Sequence, residues 1–338
     1  MIVDAHLDLA FNGLRGRDLT RPASRQVADT DGTPAVGLPD LRAAGVVLVG
    51  ASVFADPLAD DAPTGYRTPA EAHAMGIANL DYYRRLETGG QVRIVRARPD
   101  LPGATISAIT EDQPLPILLA MEGADPILGP DDVAPWWKLG LRMVGLAWML
   151  GTRYAGGNAA PGPLTDAGRA LVPALDRAGI IHDAAHLAEE AFWGLLDLTA
   201  GPLCATHANP RAVVPGERQL SDAMLRAVAA RGGVVGTSLY RPHLVPESEG
   251  PRRATIADVV RCVRHAADTL GSVDAIGLGT DADGGFGHEE LPQGMRTHRD
   301  LGRVAEALVA DGFGDGQVAA ILGGNWLRFL ADRLPAAA

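Results

Sequence analysis

Lysine is almost missing from this sequence: of 30 basic residues only Lys138 is a lysine, and the rest are arginine, as genomic base composition would produce. A Schiff-base lysine or the lysine of a phosphate-binding loop would have to be Lys138, which sits in PWWKLG with neither motif around it. Pyridoxal enzymes and P-loop nucleotidases are therefore disfavoured. Cysteine is scarce as well, and Cys204 and Cys262 cannot make a disulfide framework. Positive charge is in deficit, 30 Lys+Arg against 41 Asp+Glu for a net charge of −11. That balance argues against nucleic acid or an anionic membrane as partner, since both select basic surfaces. No apolar run approaches the roughly 18 residues needed to span a bilayer; the longest, Ala44 to Ala55, is strand-like and holds two glycines. MIVDAHLDLA has no basic region ahead of an apolar stretch, and DRLPAAA lacks the hydrophobic tail of a lipid-anchor signal. The expectation is a cytoplasmic enzyme with no membrane anchor.

What is present is ordinary globular composition, 47% hydrophobic and 21% charged. The 338 residues suit one large domain, read as a (β/α)8 TIM barrel over 1–338 with inserted loops. Eight short apolar runs read as strands: Ile2–Asp8, Gly45–Val53, Pro116–Glu122, Leu141–Trp148, Gly179–Ala184, Leu203–Thr206, Gly233–Ser238 and Asp274–Thr280. Helical patterns at Ala70–Glu87, Asp166–Ala178, Leu187–Thr199, Ser221–Ala230, Thr255–Leu270 and His298–Ala310 alternate with them. A doubly wound open sheet is disfavoured because no G-x-G-x-x-G opens a helix after a strand. Residues 11–44 and 239–254 read as loop insertions, and 91–114 as a short extra strand, QVRIVRA, with a loop. Such excursions either line the active site or run over the surface. Trp136 and Trp137 pack a helix on the barrel or mark a subunit contact in a homodimer.

Five of the eight strands end in His, Asp or Glu, at the end where barrel active sites form. His6 and Asp8, two apart on a strand, point the same way. Glu122 closes LLAME; His182, Asp183 and His186 close the fifth strand; His207 closes the sixth; Asp281 and Asp283 close the eighth. Three carboxylates and three imidazoles buried side by side are costly without compensation. Two divalent cations would balance Asp8, Glu122, Asp281 and a hydroxide. With no lysine on a strand end, the bridge between the ions has to be an ordinary carboxylate, and Glu122 lies between the histidine-bearing groups.

The segments DAHLD, AMEG, LGLR, PGPLTDAGRALVPALDRAGIIHDAAH, CATHANPRAV, ERQLSD and IGLGTDADG, in that order, resemble the membrane (renal) dipeptidase family of the metal-dependent amidohydrolase superfamily. The resemblance runs from DAHLDLA to GGNWLRFL. It implies His6 and Asp8 on one metal, Glu122 bridging, and His186 and His207 on the second. It implies Asp281 as the proton-handling carboxylate and Arg218 as receiver of the substrate's terminal carboxylate. His182 matches no ligand position and is read as structural; His243 and His288 are left to line the mouth. Where many members carry a histidine that contacts the scissile carbonyl, this sequence reads Leu146-Ala147-Trp148. Indole donates one N–H but cannot titrate, so Trp148 either donates to the oxyanion or reshapes the pocket.

The implied reaction is hydrolysis of the amide of a dipeptide, with tolerance for a D-residue on the C-terminal side, by an enzyme holding two zinc ions. Three alternatives stand beside it. One is an amidohydrolase acting on N-acyl amino acids, lactams or lactones. Another is a metal-binding barrel without catalysis, and the third a mononuclear deaminase-type site, which the His6-x-Asp8 start disfavours.

Overall fold

The run VVLVGASVF offers no polar face, so it folds stably only where both sides are covered. In the computed structural model, which describes residues 1–58, 65–103 and 109–337, it forms strand β2 (Val46–Phe54) with every residue buried. β2 lies between β1 (Ile2–Leu7) and β4 (Leu115–Glu122), both also buried throughout. The parallel path continues through β5 (Leu141–Gly145), β6 (Ile181–Asp183) and β7 (Leu203–Cys204) on one side. On the other it runs through β9 (Ile276–Leu278) and β8 (Val235–Thr237). A parallel bridge between Ala205 and Val235 joins β7 to β8, completing a nearly closed eight-stranded (β/α)8 barrel. The extra strand expected in QVRIVRA is β3 (Val92–Ile94), which pairs with the start of β4 outside the ring. Of the excursion around it, residues 104–108 lie outside the described residues.

Close approach of strands dictates where glycine is needed. A Cβ on Gly50 would stand 1.9 Å from the Ala5 carbonyl oxygen, and one on Gly236 the same distance from that of Thr206. The far end of the barrel is plugged by a C-terminal helix (Asn325–Arg333), whose Trp326 indole donates to the Leu278 carbonyl at 2.9 Å. Helix Val133–Lys138 turns Trp136 into the core, its indole N–H on Asp132, while Trp137 lies beneath the Arg142 guanidinium.

Helix Ile256–Leu270 illustrates how the outer layer is pinned. The Asp258 carboxylate accepts from the Thr255 N–H at 2.8 Å and its hydroxyl at 2.9 Å, and takes the Arg252 guanidinium at 2.7 Å. Burial alone would raise this carboxyl, but Arg252 and the Thr255 bonds outweigh it and hold it at about 2. A depressed carboxyl stabilises the fold above its unfolded value and loses that contribution as pH falls through the folded one. Asp258→Ala should therefore cost about 1–2 kcal/mol near neutral pH, and less as pH approaches 2. Urea midpoints across that range check it; a midpoint unmoved near neutrality would contradict the assignment.

Asp166–Ala178 is found as expected, and most other helical expectations hold with ends moved by one or two residues, as in Pro69–Thr88 and Glu189–Leu198. His298–Ala310 divides into a tight turn, His298–Leu301, and a helix, Gly302–Ala310. The strand expected over Leu141–Trp148 stops pairing at Gly145, and Leu146 to Trp148 leave the ladder to turn over the rim. The 11–44 excursion contains the end of helix Leu9–Leu14 and all of helix Leu38–Ala43, which returns the chain to the start of β2. Its Ala35 and Val36 N–H groups donate to Asp283, whose carboxylate also receives buried Arg17 at 3.1 Å.

Candidate active site

Each rim side chain is placed by the strand that ends beneath it. His6 lies on β1 and Asp8 just beyond its end, where Asp8 is held by the Ser52 hydroxyl of β2. Glu122 closes β4, in register with Phe54 of β2. His207 follows β7, and its neighbour Thr206 donates to Asp183 at 2.5 Å. His186 and Asp281 take left-handed backbone, at φ 62° and 61°. That is a costly conformation for non-glycine residues and a common one at functional sites. It swings both side chains inward after the strand has ended.

The six residues converge. Three overlapping groups, His6–Asp8–Glu122, Glu122–His186–His207 and His6–His207–Asp281, each bring their ligand-capable atoms within 4.8 Å of one another. The Glu122 carboxylate is split between the groups. Its Oε1 lies 3.0 Å from His186 Nε2 and 3.3 Å from His207 Nε2, and its Oε2 lies 3.6 Å from His6 Nε2. All six are almost wholly buried; His186 is the most open.

The hydrogen-bond network sets which nitrogens are bare. His186 Nδ1 sits 2.8 Å from Asn158 Oδ1, which only accepts, so Nδ1 carries the proton. Thr206 spends its hydroxyl proton on Asp183, so its oxygen accepts from His207 Nδ1 at 2.9 Å. Both Nε2 atoms are then lone pairs, and they face each other at 3.0 Å. Burial drives both imidazoles well below their ordinary pKa, so both are neutral, the form that ligates a cation. His6 Nε2 is buried with no hydrogen-bond partner among the described residues. Burial alone would depress His6, but Glu122 and Asp8 outweigh it and lift it to about 10. The acids draw a proton to a place where a cation would satisfy them. Opposed lone pairs, an orphaned ring nitrogen and a mixed imidazole–carboxylate donor set all fit divalent metal ions.

Asp281 is pushed well above the usual carboxylate range, first by burial, with His6 pulling it down and Asp8 and Glu122 pushing it up. A Cβ on Gly284 would stand 2.2 Å from its Oδ1, so glycine there leaves this carboxylate its room. The cluster floors a cavity of about 540 Å3 that Trp148, Arg218, Tyr240 and His243 also line. Arg218 reaches His186 Nε2 at 3.3 Å, while its Nε and Nη1 are buried without a partner among the described residues. The Trp148 ring stands 6.3 Å from the His186 ring and 5.1 Å from that of Phe54.

The remaining candidates separate cleanly. His182 binds Asp176 at 2.7 Å on the outer side of β6, as its structural reading expects. His243 lines the cavity; His288 instead stands beside Glu289 at 3.7 Å. Asp183 and Asp283 are ties within the rim. Ser52 and Thr206, which orient Asp8 and His207, and Asn158, which orients His186, carry no signal of that role in the sequence; Asn158 is legible only as a residue of the pocket-shaping RYAGGN.

Residues 1–334 match the membrane dipeptidase family, peptidase family M19. An uncharacterized protein of the pqqA 5′ region in Klebsiella pneumoniae is 30% identical over 247 residues, covering 70% of this chain and 89% of its own length. Dipeptidase tcpJ of Claviceps purpurea is 30% identical over 199 residues, 58% of this chain, which spans under half, 45%, of that protein. Among solved structures, the family M19 metallopeptidase dipeptidase AC superposes with a TM-score of 0.84 at 25% identity, covering 99% of both chains. A Rhodobacter sphaeroides metallopeptidase, solved with a phosphinate mimic of the dipeptide L-Ala-D-Ala, superposes with a TM-score of 0.83 at 26% identity, over 98% of this chain and 99% of that one. With the match running nearly end to end, the chain belongs to the membrane dipeptidase family.

Proposed function

We propose that this protein hydrolyses the amide bond of dipeptides, tolerating a D-residue on the C-terminal side, with two divalent metal ions, zinc in the first instance. The observation that carries the reading is one cavity lined by four of the six clustered residues, Asp8, Glu122, His186 and Asp281, and by an incompletely partnered Arg218 guanidinium. His6 and Asp8 would hold one ion, His186 and His207 the other, and Glu122 both, one oxygen to each side. Metal ions held there would supply a hydroxide nucleophile near neutral pH and polarise the carbonyl. The D-residue tolerance is supported by the Rhodobacter relative, solved with a mimic of L-Ala-D-Ala.

The protein's own groups do the rest. Arg218 receives the substrate's terminal carboxylate; a planar guanidinium forks onto a carboxylate and fixes the scissile bond above the cluster. Asp281 accepts the nucleophile's proton on its carboxylate and returns it to the leaving amine nitrogen. Trp148, on the β5 side of the mouth, either donates its indole N–H to the developing oxyanion or shapes that wall of the pocket. Phe54 and Trp148 exclude water from that wall.

The test is a rate comparison on paired substrates. Arg218→Ala should raise KM at least about tenfold, roughly 1.4 kcal/mol, for dipeptides with a free C-terminal carboxylate, and scarcely alter it for the amidated counterparts. An equal effect on both would remove the carboxylate clamp. Hydrolysis of N-acyl amino acids in place of dipeptides by the wild type would favour the wider amidohydrolase reading, which Trp148 motivates.

A further inference from the structure

Four acids line the cavity, and three of them, Asp8, Glu122 and Asp281, belong to the cluster. The fourth, Asp56, does not. It lies two residues beyond the end of β2, whose Phe54 is level with Glu122. At about 3.3 Å per residue of extended chain, its Cα stands some two residue-lengths further out than the cluster. Its carboxylate therefore looks over the cluster from the rim rather than joining it.

The rim holds Asp56 in place through its backbone. The Tyr66 N–H donates to the Asp56 carbonyl at 2.9 Å, and the Leu58 N–H donates back to Tyr66 at 3.1 Å. The Tyr66 hydroxyl in turn donates to Asp125, which receives the Arg153 N–H from beyond β5 at 3.1 Å. The carboxylate itself makes no hydrogen bond or ion pair among the described residues. The cation that acts on it, Arg15, is engaged with Asp31 at 3.3 Å and lies over the Phe11 ring. A half-buried carboxylate so placed gains from any cation a ligand brings.

The position of Asp56 relative to Arg218 indicates which cation. Round the barrel the strands run β1, β2, β4, β5, β6, β7, β8, β9. Asp56 follows β2 and Arg218 follows β7, four places apart in either direction round a ring of eight. They face each other across the mouth with the cluster between them. An anion at Arg218 and a cation at Asp56, on either side of a scissile amide, describe a dipeptide zwitterion. Its α-ammonium, with a pKa of about 8, is largely charged at neutral pH.

Resting on the dipeptidase reading, we propose that Asp56 is a specificity-determining residue that receives the free α-ammonium of the substrate opposite Arg218. The site then measures both ends of a dipeptide. It rejects an N-acylated amino acid, which carries the same amide and carboxylate but leaves Asp56 without its cation.

The experiment uses the metal-loaded full chain, one dipeptide and its N-formyl counterpart. Wild type should prefer the free amine by at least about tenfold in kcat/KM. Asp56→Asn should lose that preference, with the dipeptide's KM rising about tenfold or more and the N-formyl substrate changing by less than about threefold. Its retained rate on the N-formyl substrate, with wild-type metal content, reports an intact cluster and fold. Asp56→Glu should keep the preference in weakened form. Equal changes on the two substrates, no change on either, or a wild type indifferent to N-formylation would overturn the role of Asp56 while leaving dipeptide hydrolysis standing. A wild type that cleaves neither substrate would instead remove the dipeptidase reading, and this inference with it.

Discussion

Asp281→Asn is expected to lower kcat about a thousandfold while the protein keeps its full complement of metal. Asparagine fits the same volume and leaves an oxygen beside His6 and His207, so the other five clustered residues stay gathered. What it cannot do is carry a proton from nucleophile to leaving nitrogen. The dependence on leaving group separates this from simple damage. A dipeptide whose amine leaves poorly should suffer most, and an activated ester or anilide, which needs little protonation, should retain more of its rate. Normal turnover on a dipeptide would remove Asp281 from the proton-transfer role. Loss of metal together with loss of rate would make it a ligand first.

Glu122→Gln is expected to remove metal as well as activity. One carboxylate oxygen faces His186 and His207 and the other faces His6, so an amide necessarily turns an N–H2 group toward one histidine set. That side loses an anionic ligand and gains protons directed at a lone pair. Metal content should fall from about two ions per chain to one or fewer, with kcat/KM down by more than about a thousandfold. The substitution removes one of the two carboxylates beside His6 and leaves Asp8 there at 3.8 Å, so the apo protein should lose some stability and still fold. The pairing of a retained fold with lost metal distinguishes the bridge from a folding role. A variant that keeps two ions and most of its rate would show that the carboxylate does not join them.

Much of this site was legible from strand ends alone. Parallel strands covered on both faces are largely apolar until they emerge, so a His, Asp or Glu at the end of such a run marks the rim; His6, Asp8, Glu122 and His207 are of that kind, whereas Asp4, earlier in β1, is a buried tie to Thr280 and His298. Strand alternation fails just past the rim, where the backbone leaves extended geometry. His182 and His186 both looked available, yet His182 points outward to Asp176 and His186 is turned inward by its left-handed backbone. Asp281 and Asp283, two apart, would share a face on a strand. Both are left-handed, and they part, one to the cluster and the other to Arg17. For these pairs only the family resemblance separated the candidate site residue from the structural tie. The short helices Leu9–Leu14 and Val133–Lys138 are too brief for a periodic signal, and the Trp326 plug depends on a carbonyl 48 residues away. Ser52 and Asp56 are ordinary polar residues in sequence; only the pairing of β2 into the barrel brings Ser52 to Asp8 and sets Asp56 at the cavity wall.

Side chains from five separate strand ends meet in one cluster, and a pair of cations is expected among them. The decisive measurement is the metal-to-protein ratio of the full chain after equilibration with excess zinc and removal of unbound ion. Two zinc ions per chain, falling to one or fewer in Glu122→Gln, is the predicted result. A wild-type ratio near zero, with the protein folded, would contradict it.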